Sequence, residues 1–287
     1  MKSVSKYAVY VVLAVVLTLY FMFLTFPYES LKDRFLPQWE KSLPFKVFIR
    51  QIQATPLLWI RLSGVKIFQE QQGTTPFLDI SRVGVRPSLL DLLLGKPALR
   101  IKADLYDGSI RGKVGRNKRD LDLDLSWKGV NPEKHPFFSK REGTRVEAGI
   151  TGDLLLHLKG GNLYGSKGTL SLGLRDGSVT NLQVYGFTLP SLQGITGKGQ
   201  VQLDQRKATL EALSLESDEM SVSMEGNVDL SPRLTSSRLN LKGKVKLDGN
   251  LESQYQPMLA GFLRNKDSEG YYTFSLRGTV GSPRFSF

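Results

Sequence analysis

The side chains that carry most protein chemistry are scarce in this chain. It has no cysteine, which removes disulfides, thiolate metal sites and cysteine nucleophiles. Its two histidines, His135 and His157, have no paired acid or cysteine at ligand spacing. Asp120, Asp122 and Asp124 alternate with Leu121, Leu123 and Leu125, which puts three carboxylates on one face of a strand. The glycine and terminal Glu of a calcium loop are missing, so the trio reads as a polar strand face. Gly194, Gly197 and Gly199 partly imitate a phosphate loop. They lack its third glycine and any βαβ context, and fit turns and bulges better. No G-x-S-x-G elbow occurs. The expectation is a protein that is not an enzyme, with no catalytic residue, no metal ligand and no cofactor.

What must be positioned is therefore surface rather than a reactive group, and the first element doing so is Tyr7 to Phe26, YAVYVVLAVVLTLYFMFLTF. It holds no charge and no proline. At about 1.5 Å per residue, twenty helical residues cover the roughly 30 Å core of a bilayer. A cleaved signal peptide competes with this reading. Its apolar region runs about 7–15 residues and ends at small side chains, whereas this run is longer and ends in bulky Phe23, Leu24, Phe26 and Tyr28. Lys2 and Lys6 precede it and no acid does, so the N-terminus is expected on the cytoplasmic side and residues 28–287 outside. In a bacterium that is a single-pass inner-membrane protein with its bulk in the periplasm.

Net charge is +12 and uneven. Residues 28–150 carry 22 Lys+Arg and 14 Asp+Glu, and residues 151–287 carry 15 and 13. Attraction of the basic half to anionic lipid headgroups is one use of that charge; ordinary solubility is the other. Nucleic acid, the usual partner of a basic chain, conflicts with the expected topology and is not expected.

After the anchor (1–27), residues 28–45 form an amphipathic segment with Leu31, Phe35, Trp39 and Leu43 every four residues. Tyr28, Phe35 and Trp39 either rest in the membrane interface or cap a β core. From residue 46 the apolar period becomes 2, the mark of half-buried strands. A first β module spans 46–125. Within it, a short helix over 87–94 is expected to be mostly buried, because of Leu89, Leu90, Leu92, Leu93 and Leu94. Residues 126–148 read as an irregular insertion. From 149 to 287 the pattern is almost pure strand, with turns expected at Asp107-Gly108, Gly160-Gly161, Asp176-Gly177 and Asp248-Gly249. The fold class is mainly all-β, one transmembrane helix followed by an elongated, curved antiparallel sheet, groove-like or sandwich-like, with a few short helices. Leu154, Leu156, Leu158, Leu170, Leu172, Leu174, Val201 and Leu203 are the candidate lining of an apolar groove; a closed dry core uses the same residues. Phe285 and Phe287 stand at the spacing of a final outer-membrane strand, a reading that the apolar N-terminal helix opposes.

The anchor, FPYESLKDRF (26–35) and the Leu-Ser-Gly-Val-x-Ile strand (62–67) resemble the type II secretion system protein N family. PFLDISRVGVRPSLLDLLLGKPALRIKADLYDGSIRGKV (76–114) is similar to the membrane-proximal module of AsmA-like proteins, and ITGDLLLHLKGGNLYGSKGTLSLGL and FSLRGTVGSPRFSF continue that style. Neither family carries catalytic residues over. The first resemblance implies an accessory of type II protein secretion, acting on secretion proteins by interaction. The second implies a groove that shields phospholipid acyl chains between the inner and outer membranes.

Overall fold

The computed structural model describes residues 2–28, 45–55, 58–69, 76–135, 145–181, 183–184, 187–188, 191–253 and 266–286. The chain divides into two compact units, Met1–Pro87 and Ser88–Phe287.

The first unit opens with helix α1, Lys2–Thr25. Three antiparallel strands follow, β1 (Phe45–Thr55), β2 (Trp59–Gln69) and β3 (Leu78–Pro87). Ile49 pairs with Val65 and Val65 with Ile80, and Ile49 and Val65 are buried. The Arg86 guanidinium stands 4.8 Å over the Trp59 ring. Among the described residues no helix is long and apolar enough to cross a membrane. The side chains of Tyr7, Ala8, Val9, Val12, Val16 and Leu19, six apolar positions of the expected span, lie outside the described residues.

The second unit begins with helix α2, Leu89–Leu93. Eleven strands follow as one antiparallel sheet whose order is the chain order. They are β4 (Ala98–Leu105), β5 (Gly108–Asn117), β6 (Asp120–Val130), β7 (Arg145–Lys159), β8 (Asn162–Thr180), β11 (Leu192–Gln205), β12 (Lys207–Glu216), β13 (Met220–Asp229), β14 (Arg238–Leu247), β15 (Tyr272–Thr279) and β16 (Ser282–Ser286). Among the described residues, two-residue strands β9 (Gln183–Val184) and β10 (Phe187–Thr188) pair only with each other. Among the described residues no pairing joins β16 back to β4, so the sheet is open rather than a barrel.

Several local expectations change. Helix α2 is not buried: Leu89, Leu90, Leu92, Leu93 and Leu94 are all exposed. The cause is Asp91, which accepts a 2.7 Å hydrogen bond from Lys113 Nζ. That pins the helix against the charged side of the sheet, where leucine finds no apolar partner. The stretch 126–148 is partly regular. β6 runs on to Val130, a 3-10 turn covers Pro132–Lys134, and β7 starts at Arg145; residues 136–144 lie outside the described residues. The β4–β5 turn sits on Tyr106 and Asp107, at φ 48° and 62°. Gly108 is already in β5, where a Cβ would fall 2.5 Å from the Val130 nitrogen. Asp176-Gly177 makes no turn either. β8 runs through it, with register shifts against both neighbours, which is the signature of a bulge.

Candidate functional site

Side chains alternate between the two faces of a strand, so the pairing register sorts the sheet of the second unit into two surfaces. On one, Ile101, Gly112, Leu125 and Leu154 stand side by side across β4 to β7. Leu170, Val201 and Leu210 continue the row across β8 to β12. Gly226, Leu241, Leu276 and Phe285 complete it at β16. The row one step along the strands holds Leu99, Val114, Leu123, Leu156, Leu203 and Val228. On the other side of the first row lie Trp127, Leu172, Leu213, Met224 and Phe274. No charge interrupts these rows.

The opposite surface has the reverse character. Arg100, Lys113, Asp124, Leu155, Thr169 and Gln202 form one of its rows, continued by Thr209, Asn227, Asn240, Arg277 and Arg284. Its polar groups satisfy one another. Thr209 Oγ1 donates to Asn227 Oδ1 at 3.1 Å, Lys167 pairs with Asp204 at 3.1 Å, and His157 Nδ1 lies 2.7 Å from Asp122 Oδ1. Asp120 accepts from the Gly160 amide. The Asp120, Asp122 and Asp124 series is thus a polar strand face. Among the described residues no group of three or more His, Asp or Glu is placed to hold a metal ion.

The eight lining candidates from β7, β8 and β11 fall together on the apolar face. Leu154, Leu156, Leu158, Leu170, Leu174, Val201 and Leu203 are half-buried, and Leu172 is 38% exposed. None is buried, as the same side chains would be between two packed sheets. Large side chains on this face lie down over glycines of the next strand. A Cβ on Gly152 would sit 2.7 Å from Trp127 Cε2, and one on Gly243 would sit 2.6 Å from Phe274 Cε1. The glycines are required by that close approach. The outcome is a paved apolar floor with few standing ridges, suited to flexible chains rather than to one rigid ligand.

Of the other candidates, Phe26 is 38% exposed. Tyr28 folds back on the end of α1: its hydroxyl donates to the Phe23 carbonyl at 2.8 Å, and its ring meets Phe23 and Phe26 edge-on. Tyr7 lies outside the residues with described side chains, and Phe35 and Trp39 lie outside the described residues. Sequence reasoning missed that Trp127, Leu213, Met224 and Phe274 share the face. Their period-2 spacing was visible, but cross-strand register was not.

No family model, curated protein or solved structure matches this chain.

Proposed function

We propose that the apolar face of the second unit is an open binding groove for lipid acyl chains, held at a membrane by α1 and acting by binding rather than catalysis. The observation that carries this is the uncharged register row from Ile101 to Phe285, across eleven strands, with its leucines other than the buried Leu241 left half-exposed. Each methylene removed from water contributes about 0.8 kcal/mol. A row of apolar side chains with no polar break offers that gain along its whole length.

The anchoring part rests on the twenty uncharged residues Tyr7–Phe26. Tyr10, Val11, Leu13, Val15, Phe21 and Met22 are exposed on α1, as suits a helix surrounded by hydrocarbon. Thr18 and Thr25 return their hydroxyls to the Ala14 and Phe21 carbonyls at 2.8 Å, so neither of these two donors is idle. With the resemblance to AsmA-like proteins, the membrane is the bacterial inner membrane, the N-terminus is cytoplasmic and the β units are periplasmic. The reading as a type II secretion accessory uses the same topology. It rests on the sequence of the anchor, of residues 26–35 and of the strand at 62–67, and no geometric observation adds to it.

The test compares lipid bound per chain, by native mass spectrometry, in the full-length protein and in a Leu156→Lys/Leu170→Lys/Leu172→Lys variant. Lipid around α1 is common to both, so the difference reports the groove. The groove predicts lipid lost from the variant while its sheet persists by circular dichroism. Equal lipid in the two proteins contradicts it.

A further inference from the structure

Helix α2 turns Leu89, Leu90, Leu92, Leu93 and Leu94 to solvent, each between 53% and 84% exposed. Its one charged side chain points the other way, to Lys113. Five exposed leucines within six consecutive positions form a patch that monomeric surfaces seldom leave bare.

Cations flank that patch. Residues 96–119 carry eight Lys and Arg against two Asp. Lys96, Arg100, Arg116, Lys118 and Arg119 are exposed. The chain leaving α2 is tied to this hairpin, because the Arg116 amide donates to the Pro97 carbonyl at 3.0 Å and the Lys96 amide to the Asp91 carbonyl at 2.8 Å. Arg100 stands directly opposite Lys113, and Lys102 opposite Arg111.

We propose that α2 and its flanking cations dock on the surface of an anionic lipid bilayer, the leucines entering the acyl boundary and the Lys and Arg side chains meeting phosphates. A short apolar turn projecting between cations has the composition of an interfacial membrane segment. A pocketed protein partner would account for the leucines and leave the surplus positive charge without a counterpart. The docking is independent of the apolar groove and stands even if the groove binds nothing.

The chain has no cysteine, so Leu93→Cys gives one labelling site in the full-length protein. It is labelled with an environment-sensitive fluorophore and reconstituted in vesicles containing lipid-attached quenchers. The vesicles are phosphatidylcholine alone or phosphatidylcholine mixed with phosphatidylglycerol. Docking predicts quenching at position 93 in the anionic vesicles, lost at high salt. Label at Gln202→Cys, exposed on the polar face, stays unquenched. Lys96→Ser and Lys118→Ser each lower the docked-to-undocked ratio roughly fivefold, the effect of about one surface cation. No quenching at 93, equal quenching in both vesicle types, or shielding of the fluorophore without lipid quenching overturns the proposal. Flotation of the same chain reports anchoring by α1 separately. A chain that floats with both vesicle types yet leaves position 93 unquenched keeps the anchor and overturns the docking.

Discussion

The Trp127 indole lies across the Gly152 backbone on the neighbouring strand, so close that a methyl group on residue 152 would stand 2.7 Å from Cε2 and 2.6 Å from the Ser171 carbonyl oxygen. One of those obstacles is a side chain able to turn; the other is backbone in β8. Gly152→Ala therefore has to move a strand. We expect a loss of about 1–3 kcal/mol in chemical unfolding, the range for overpacking, together with a shifted Trp127 emission. An unchanged unfolding midpoint would show that β8 does not approach Gly152 so closely.

Two leucines of the apolar face should respond differently to the same mutation. Leu241 is 9% exposed and Leu172 is 38% exposed. Leu241→Ala should cost about 2–5 kcal/mol, as for a buried leucine. Leu172→Ala should cost well under half of that, because much of its side chain already meets solvent. Equal losses would mean that Leu172 is in a closed core.

These two residues also show what the sequence can and cannot reveal. Alternation of Leu170, Leu172 and Leu174 made β8 legible, and the same alternation made most of the other strands legible. Whether Leu172 faces a second layer or open space is decided by partners far along the chain, and alternation is blind to them. Asp176-Gly177 illustrates a second limit: the pair that makes a hairpin turn elsewhere makes a bulge here, because β7 and β11 pair with β8 on both sides of it. The leucines of α2 illustrate a third. Apolar composition signalled burial, but the Asp91–Lys113 contact that sets the helix on the charged surface joins residues 22 positions apart.

A pH effect follows at the β14–β15 connection. Glu252 Oε1 lies 2.5 Å from Lys266 Nζ and accepts from the Tyr272 hydroxyl at 2.6 Å. The Lys266 hydrogen bond, followed by that of Tyr272, holds the Glu252 carboxyl below its ordinary value. The Glu252 hydrogen bond in turn raises Lys266 and Tyr272 above theirs. A lowered carboxyl stabilises above its unfolded value and loses that contribution as pH falls through the folded one. The raised Lys266 and Tyr272 lose theirs as pH rises through their folded values. Amide-exchange protection at Leu251 and Tyr272 should therefore hold from about pH 5 to about pH 9 and decline on both sides. Glu252→Gln should remove the acid-side decline. A variant that keeps the wild-type acid profile would assign that decline elsewhere.

The anchor is tested by charge. Val15 is exposed midway along α1. An arginine at the centre of a membrane helix costs about 2.5–3.5 kcal/mol in insertion. Val15→Arg should shift the chain from the membrane fraction toward the soluble fraction, whereas Val15→Leu should not. Identical fractionation of the two variants would show that α1 is not held in hydrocarbon.

The most direct measurement of the central claim is a photocrosslinking scan in membranes from cells labelled with radioactive phosphate. A photoreactive residue is placed in turn at positions 154, 156, 170, 172, 201 and 203 of the apolar face and at 155, 169, 171, 200 and 202 of the opposite face. An acyl-chain groove predicts labelled lipid adducts at the first set and none at the second, an alternation with a period of two along each strand. Adducts on both faces alike, or on neither, would contradict it.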